Sequence, residues 1–109
     1  MQDLSKKHCV PCEGSAKPLD KEEIAKYLLQ LKSSWAIVDD KEIQKTFKLK
    51  NFVKAIEFVN KIAEVAESEG HHPDITINYN KVKIQLATHA IKGLSENDFV
   101  IAAKIEAIK

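Results

Sequence analysis

The chain contains no arginine: all 17 of its basic residues are lysines, and 16 acidic residues nearly balance them. Recognition of bases and phosphates leans on the planar guanidinium group and on a net basic surface. Glycine is scarce as well, and three glycines could hardly build a phosphate-binding loop. These two scarcities disfavour a dedicated nucleic-acid binder and a nucleotide-binding enzyme of the glycine-loop type.

Long apolar runs and scattered cysteines are also missing. No apolar run approaches the ~20 residues of a membrane span, and no signal peptide follows Met1. The two cysteines, Cys9 and Cys12, are too close together for a disulfide between them to connect distant parts of the fold. This disfavours a secreted disulfide scaffold. We therefore expect a cytoplasmic protein with no membrane partner, and 109 residues leave room for one folded domain.

Two segments differ in composition. Residues 1–19 hold two of the three prolines and show no sustained apolar period, which predicts a loop-rich N-terminal extension. Residues 20–109 are expected to form the folded domain. A single Cys9-x-x-Cys12 motif beside His8, without a second pair, favours ordinary loop cysteines over a zinc or redox site.

Three helices and two hairpins are predicted in the folded domain. Capping-box patterns at Asp20 and Ser95 open the first and last helices, and the middle helix runs from Asn51 to Glu69, with Gly70 just past its end. Alternating residues predict two hairpins, with turns at 39–40 and at Asn80-Lys81. The order α-β-β-α-β-β-α indicates an α+β fold, a four-stranded antiparallel sheet with three helices on one face.

The histidines are the densest chemical feature. His71 and His72 precede the third strand and His89 follows the fourth, so all three are expected at the same end of the second hairpin. Histidine exchanges protons near neutral pH, which indicates acid–base chemistry. A solvated loop pair remains an alternative, and so does a zinc site that includes Glu67, although the helical His-x-x-x-His spacing is absent.

Two acids and one tryptophan complete the candidates. Asp98 has a sufficient structural role as the acid of the last capping box. Glu67 lies near the end of a helix, where the dipole disfavours it, so we expect a local partner such as His71. Trp35 is more typical of a core residue than of a ligand platform.

Several separated motifs, taken together, resemble the pterin-4a-carbinolamine dehydratases over about residues 20–108. They are Glu67-x-x-x-His71-His72-Pro73, Tyr79-Asn80-Lys81-Val82, Thr88-His89 and Gly93-Leu94-Ser95-Glu96-x-Asp98. The family's fold agrees with the predicted element order. The resemblance implies dehydration of a 4a-hydroxytetrahydropterin to a quinonoid dihydropterin, which supports tetrahydropterin recycling by a hydro-lyase.

The resemblance also implies roles for individual residues. The implied set comprises catalytic His71, His72 and His89, supporting Glu67 and Asp98, and pterin-binding Trp35, Pro73, Thr88, Ala90 and Ile91. It implies no metal and no cofactor, and a homodimer or homotetramer. It assigns neither the acid nor the base among the histidines, and it leaves the role of His8, Cys9 and Cys12 open.

Two functions of other classes stay open from the sequence. The same fold could act as a non-catalytic oligomeric scaffold or transcriptional coactivator, although no motif specifically supports this. The histidine cluster could instead hold zinc in a hydrolase. Turnover of the pterin substrate in the presence of a chelator separates all three hypotheses.

Overall fold

Three helices and four strands follow one another in the predicted order α-β-β-α-β-β-α. The computed structural model describes residues 4–7, 9 and 17–108. The elements are α1 (Lys21–Gln30), β1 (Ala36–Val38), β2 (Glu42–Lys48), α2 (Phe52–Glu69), β3 (Asp74–Asn78), β4 (Lys81–Leu86) and α3 (Glu96–Glu106), with short 3₁₀ helices at Leu4–Lys6 and His89–Ile91. The predicted α+β class is therefore confirmed.

The helices begin where their capping residues predict, and α2 also ends at its predicted glycine. The helix predicted to run up to Ser33-Ser34 ends earlier, at Gln30. In α1 the Asp20 carboxylate accepts the Glu23 N–H at 2.9 Å, and the Glu23 carboxylate accepts the Asp20 N–H at 3.1 Å. At the start of α2 the Asn51 side-chain oxygen accepts the Lys54 N–H at 2.9 Å. Gly70 ends α2 with a φ of 66°, a left-handed conformation that glycine adopts without strain.

The sheet has the strand order β1-β2-β4-β3, with every neighbouring pair antiparallel. The first hairpin turns at Asp39 and Asp40, as predicted, and both residues have positive φ. The second turn lies at Tyr79-Asn80, one residue earlier than predicted, because Lys81 already pairs with Asn78. Asn80 is held there by Leu49, whose N–H donates to the Asn80 carbonyl at 2.7 Å.

One face of the sheet is buried beneath the helices. Ile43 on β2 and Val82, Ile84 and Leu86 on β4 are almost wholly buried, whereas the alternate residues of β4 are partly exposed. The helices complete this core with residues such as Ile62 from α2, and Phe99, Ile101 and Ile105 from α3. The other face of the sheet therefore stays available to solvent or to a partner.

The described part of the N-terminal extension belongs to the same core. Leu4 is 3% exposed and packs within the core cluster. His8 and Cys12 of the Cys-x-x-Cys motif lie outside the described residues. Across the described ranges, no helix has the length and apolar character needed to cross a bilayer.

Candidate active site

A cavity of about 560 Å³ is lined by all three histidines that the sequence predicted to converge. His71 and His72 follow the end of α2, and His89 follows β4. Residues 71–73 belong to no strand, so adjacent histidines can both line the cavity rather than alternate between faces. The volume lies within the ~300–1,000 Å³ typical of small-molecule sites.

The backbone on both sides of the cavity is fixed locally. After Gly70, the His71 N–H donates back to the Ala66 carbonyl at 3.2 Å, which holds the first histidine against the end of α2. On the other side, Thr88 and Gly93 pair as an isolated bridge that closes the 3₁₀ turn carrying His89. A Cβ on Gly93 would lie 2.6 Å from Cβ of Pro18, so this turn requires glycine.

His71 is tied to a buried carboxylate. Its Nε2 lies 2.6 Å from Oδ1 of Asp98, and the two side chains are 14% and 0% exposed. A carboxylate only accepts hydrogen bonds, so Nε2 carries the proton and donates it. The pair thus selects the Nε2–H tautomer and leaves Nδ1 of His71 to exchange a proton.

The Asp98 carboxylate is itself held by two further donors. Its Oδ2 accepts the Thr88 hydroxyl at 2.8 Å and the Ser95 N–H at 3.0 Å. Because Thr88 gives its one hydrogen to Asp98, the Ser95 hydroxyl donates to Thr88 Oγ1 at 2.8 Å. The capping acid of α3 is therefore also the partner of His71.

His72 has a partner of a different kind. Its Nε2 lies 2.9 Å from Oε1 of Glu67, and the two side chains are 60% and 79% exposed. Glu67 has a local partner, as expected, but this partner is His72 rather than His71. Asp98 already occupies the Nε2 of His71, and Glu67 contacts the next histidine instead.

His89 is exposed and borders a second cavity. This cavity, of about 320 Å³, is also lined by Asp39, Lys41 and Glu42. His89 lies beyond the end of β4 at Leu86 and begins a 3₁₀ turn. Its imidazole is accordingly placed by the turn rather than by the sheet.

The predicted pterin-binding residues divide into two groups. Thr88 and Ala90 line the histidine cavity. Pro73, Ile91 and Trp35 are absent from its lining. Trp35 is buried in the core, where its indole N–H donates to Glu106 at 3.0 Å, so the structure does not bring it to the histidines.

The cavity has lining residues that the sequence did not single out as part of this site: Cys9, Glu69, Gly70, Ala87 and Asn97. The positions of Glu69 and Gly70 next to His71 offered a signal for two of them. Nothing in the sequence pattern places Cys9, some 60 residues away, beside the histidines.

The described residues offer no arrangement of three or more His, Cys, Asp or Glu side chains that could hold a metal ion. An imidazole held by a carboxylate at one nitrogen, as in His71 and His72, can transfer protons through its other nitrogen.

A further carboxylate lies at the start of α3. The Tyr27 hydroxyl donates to Oε2 of Glu96 at 2.7 Å, and Lys7 lies 3.1 Å from the same oxygen. Burial, followed by this hydrogen bond, raises the pKa of Tyr27 to about 12. The hydrogen bond from Tyr27, followed by the contacts from Lys7, lowers the pKa of Glu96.

Known proteins resemble the chain over nearly its whole length. A relative from Alkaliphilus metalliredigens is 46% identical over 97% of this chain and 96% of its own, and one from Rickettsia canadensis is 48% identical over 98% of each. Both are named, provisionally, as pterin-4-alpha-carbinolamine dehydratases. Their coverage means that the N-terminal extension is part of the likeness.

Two solved structures share the fold. A transcriptional coactivator/pterin dehydratase from Brucella melitensis matches with a TM-score of 0.78 and 36% identity, covering 84% of this chain and 97% of its own. A pterin dehydratase-like protein described as a RuBisCO assembly factor of the alpha-carboxysome has a TM-score of 0.60 and covers 70% of this chain and 89% of its own. At 23% identity it shows the fold alone.

The family model described as pterin 4 alpha carbinolamine dehydratase matches residues 17–108. This range includes every element of the sheet, the three α-helices and the three histidines of the cavity. The chain belongs to the pterin 4 alpha carbinolamine dehydratase family.

Proposed function

We propose that the protein dehydrates a 4a-hydroxytetrahydropterin to a quinonoid dihydropterin and water, with histidines as acid and base. The observation that carries the proposal is the convergence of His71, His72 and His89 on one cavity in a member of this family. The cavity is large enough for a bicyclic heterocycle. Its lining contains no lysine among the described residues, which suits an uncharged ring system.

The reaction needs two proton transfers and no change in redox state. A base takes the proton from ring nitrogen N5, and the electron pair left on N5 forms the C4a=N5 double bond. The bond between C4a and the hydroxyl breaks, and an acid supplies the proton with which the hydroxyl leaves as water. Imidazoles serve both roles at neutral pH, because each can hold or release a proton there.

His71 is best suited to accept the N5 proton. Its Nε2–H is bound to Asp98, so Nδ1 is the nitrogen left to take a proton. The imidazolium that forms would lie 2.6 Å from the buried carboxylate, which stabilises the new charge. Asp98 acts through His71 and needs no contact with substrate.

His72 and His89 are the candidates for the acid. Both are exposed and both line the cavity, so either can recover a proton from solvent after each turnover. Glu67 accepts a hydrogen bond from His72 Nε2 and orients the ring. Thr88 and Ala90 are proposed to contact the pterin ring.

The test is turnover of freshly generated 4a-hydroxytetrahydropterin, followed by ultraviolet absorbance in the presence and absence of a chelator. We expect the wild type to accelerate dehydration in both conditions, and His71→Ala and His89→Ala to lose about 10²-fold or more of kcat. Tyr79→Phe, at the turn end of the second hairpin, is the control and should retain full activity.

The other outcomes identify the alternatives. Activity that disappears with the chelator would favour a metal-dependent hydrolase. A folded wild type without turnover would defeat the proposal and favour a non-catalytic scaffold or coactivator role. Histidine variants as active as the wild type would leave the reaction standing and refute the assignment of the site.

We also propose that the protein is a cytoplasmic homodimer or homotetramer. Phe52 and Val53 on α2 are about half exposed or more, and Ile77 lies exposed on the edge strand β3. Exposed apolar side chains and an unpaired strand edge both favour association between copies. Size-exclusion chromatography with light scattering measures the state, and a monomer at micromolar concentration would refute it.

A further inference from the structure

The described part of the N-terminal extension contacts the cavity although the family model begins at residue 17. Three anchors fix it. Leu4 is buried in the core, the Ser5 carbonyl accepts the Lys104 ammonium at 2.9 Å, and the Lys7 ammonium lies 3.1 Å from Glu96. The segment therefore packs along α3, with Ser5 near its third turn and Lys7 near its first turn.

Glu69 joins this segment to the histidines. Its Oε1 accepts the Cys9 N–H at 2.7 Å, and its Oε2 lies 3.8 Å from the Lys104 ammonium. The Glu69 side chain is only 7% exposed. Glu69 is the last residue of α2 and lies two residues before His71. Its hydrogen bond with Cys9 therefore restrains the chain close to the histidines.

Cys9 also forms part of the cavity wall. It lines the same cavity as His71 and His72, and its Sγ lies 3.8 Å from the Asn97 carbonyl, the residue before Asp98. The segment therefore reaches both ends of the His71–Asp98 pair. One contact is made through the side chain of Glu69, and the other through the backbone of Asn97.

We propose that residues 4–7 and 9 complete the pterin site, with Glu69 as a positioning residue for the histidines and Cys9 as a wall against which the substrate binds. This inference rests on the proposed function. Glu69 holds the end of α2 in place through its hydrogen bond with the Cys9 N–H. Loss of the Glu69 carboxylate would therefore let His71 and His72 shift. Displacement of a catalytic group by about 1 Å costs about 10²-fold in rate.

The first experiment compares Glu69→Ala, Glu69→Gln and Glu64→Ala in steady-state dehydration assays. Glu64 is exposed on the same helix and serves as the matched control. We expect Glu69→Ala to lower kcat by about tenfold or more with a smaller change in KM. Glu69→Gln should restore most of the rate, because its amide oxygen still accepts the Cys9 N–H.

A purely structural role for Glu69 would give a different pattern. Both Glu69 variants would then lose thermal stability while the folded fraction kept the wild-type kcat. Equal kcat for Glu69→Ala and Glu64→Ala overturns the positioning role. Failure of Glu69→Ala to fold leaves Glu69→Gln and the Cys9 experiment to decide.

The second experiment uses the Cys12→Ser protein, in which Cys9 is the one remaining cysteine. Its alkylation by iodoacetamide is measured with and without 7,8-dihydrobiopterin. At about ten times the Kd of the ligand, the rate should fall by about tenfold, since only ligand-free protein reacts. An unchanged rate, with ligand binding shown by calorimetry, overturns the place of Cys9 in the site.

Cys9→Ala and Cys9→Leu give the kinetic counterpart. The larger leucine narrows the cavity and should raise KM. Alanine removes the thiol from the cavity wall and should also raise KM, by a smaller factor. Absence of turnover in the wild type defeats the proposed function, whereas an active wild type with unaltered Glu69 and Cys9 variants defeats only this inference.

Discussion

His71 and His72 are neighbours in sequence, and each has a carboxylate partner, yet the two pairs lie in opposite surroundings. Asp98 is fully buried, and its contact with His71 is 2.6 Å. Glu67 is 79% exposed, and its contact with His72 is 2.9 Å. The two histidines are adjacent in sequence, and only the fold shows which carboxylate each one contacts.

The difference in burial determines what each pair can do. Water competes for both members of the exposed pair, and such pairs contribute about 0–1 kcal/mol to stability. A buried carboxylate must keep its hydrogen bonds, and Asp98 has three donors around it. The buried pair therefore sets one orientation and tautomer of His71, whereas His72 keeps the freedom to follow a substrate.

The largest effect is expected for Asp98→Asn. The Ser95 N–H can only donate, so the amide oxygen of the introduced asparagine stays beside Ser95 and its N–H₂ faces His71. His71 must then accept at Nε2, and its proton moves to Nδ1. We expect kcat to fall by about 10²–10⁴-fold and the free energy of unfolding to fall by about 2 kcal/mol. Glu67→Gln is the matched control. A similar loss for both variants would show that burial does not separate the pairs.

The next effect separates the histidines by stability. His71→Ala leaves Oδ1 of Asp98 without the imidazole in a buried site, so we expect a loss of about 1–3 kcal/mol. His72→Ala should stay within about 0.5 kcal/mol of the wild type because its side chain is exposed. Urea unfolding measures both values. Equal losses would contradict the comparison.

Thr88→Val tests the outer support of the buried pair. Valine keeps the shape and removes the hydroxyl that donates to Asp98 at 2.8 Å. We expect a loss of about 1–2 kcal/mol in stability and a smaller loss of kcat than in Asp98→Asn. Thermal unfolding and the dehydration assay are the measurements. A wild-type unfolding temperature would show that Thr88 does not support the carboxylate.

The smallest effect is expected for the hydrogen bond that Tyr27 donates to Glu96, a carboxylate of intermediate exposure. The pKa of Tyr27 is raised to about 12, mainly by burial and then by its hydrogen bond to Glu96. The neutral phenol is favoured in the folded state, so this stability is complete below about pH 10 and is lost as the pH rises toward about 12.

Tyr27 can be observed alone in the Tyr79→Phe variant, because the chain has two tyrosines. Its tyrosinate absorbance should rise with a midpoint near pH 12. Adding Glu96→Gln should lower that midpoint. Titration at the ordinary tyrosine pKa of about 10 would contradict the arrangement.

Local signals predicted most of the fold. The caps at Asp20, Asn51, Gly70 and Ser95 act within one helical turn, so their patterns can be recognised directly from sequence. The second hairpin turn lies one residue earlier than predicted, and its Asn80 contacts Leu49 outside the hairpin, which no local pattern indicates. The strand order likewise depends on long-range pairing between β2 and β4.

The site divides in the same way. The convergence of the histidines follows from hairpin geometry and could be predicted. The choice of carboxylate for each histidine could not, because it depends on which acid is buried once α3 has packed. Cys9 and Glu69 meet across 60 positions of sequence through one backbone hydrogen bond, and no pattern in either segment indicates that contact.

Asp98 stabilises the start of α3 and orients His71 with the same carboxylate. Selection for folding alone would retain it, even in a descendant that had abandoned catalysis. Its presence in a homologue is therefore poor evidence of activity. Under the proposed function, the exposed His89, which packing does not demand, is the residue whose replacement would mark a lineage that has lost the reaction.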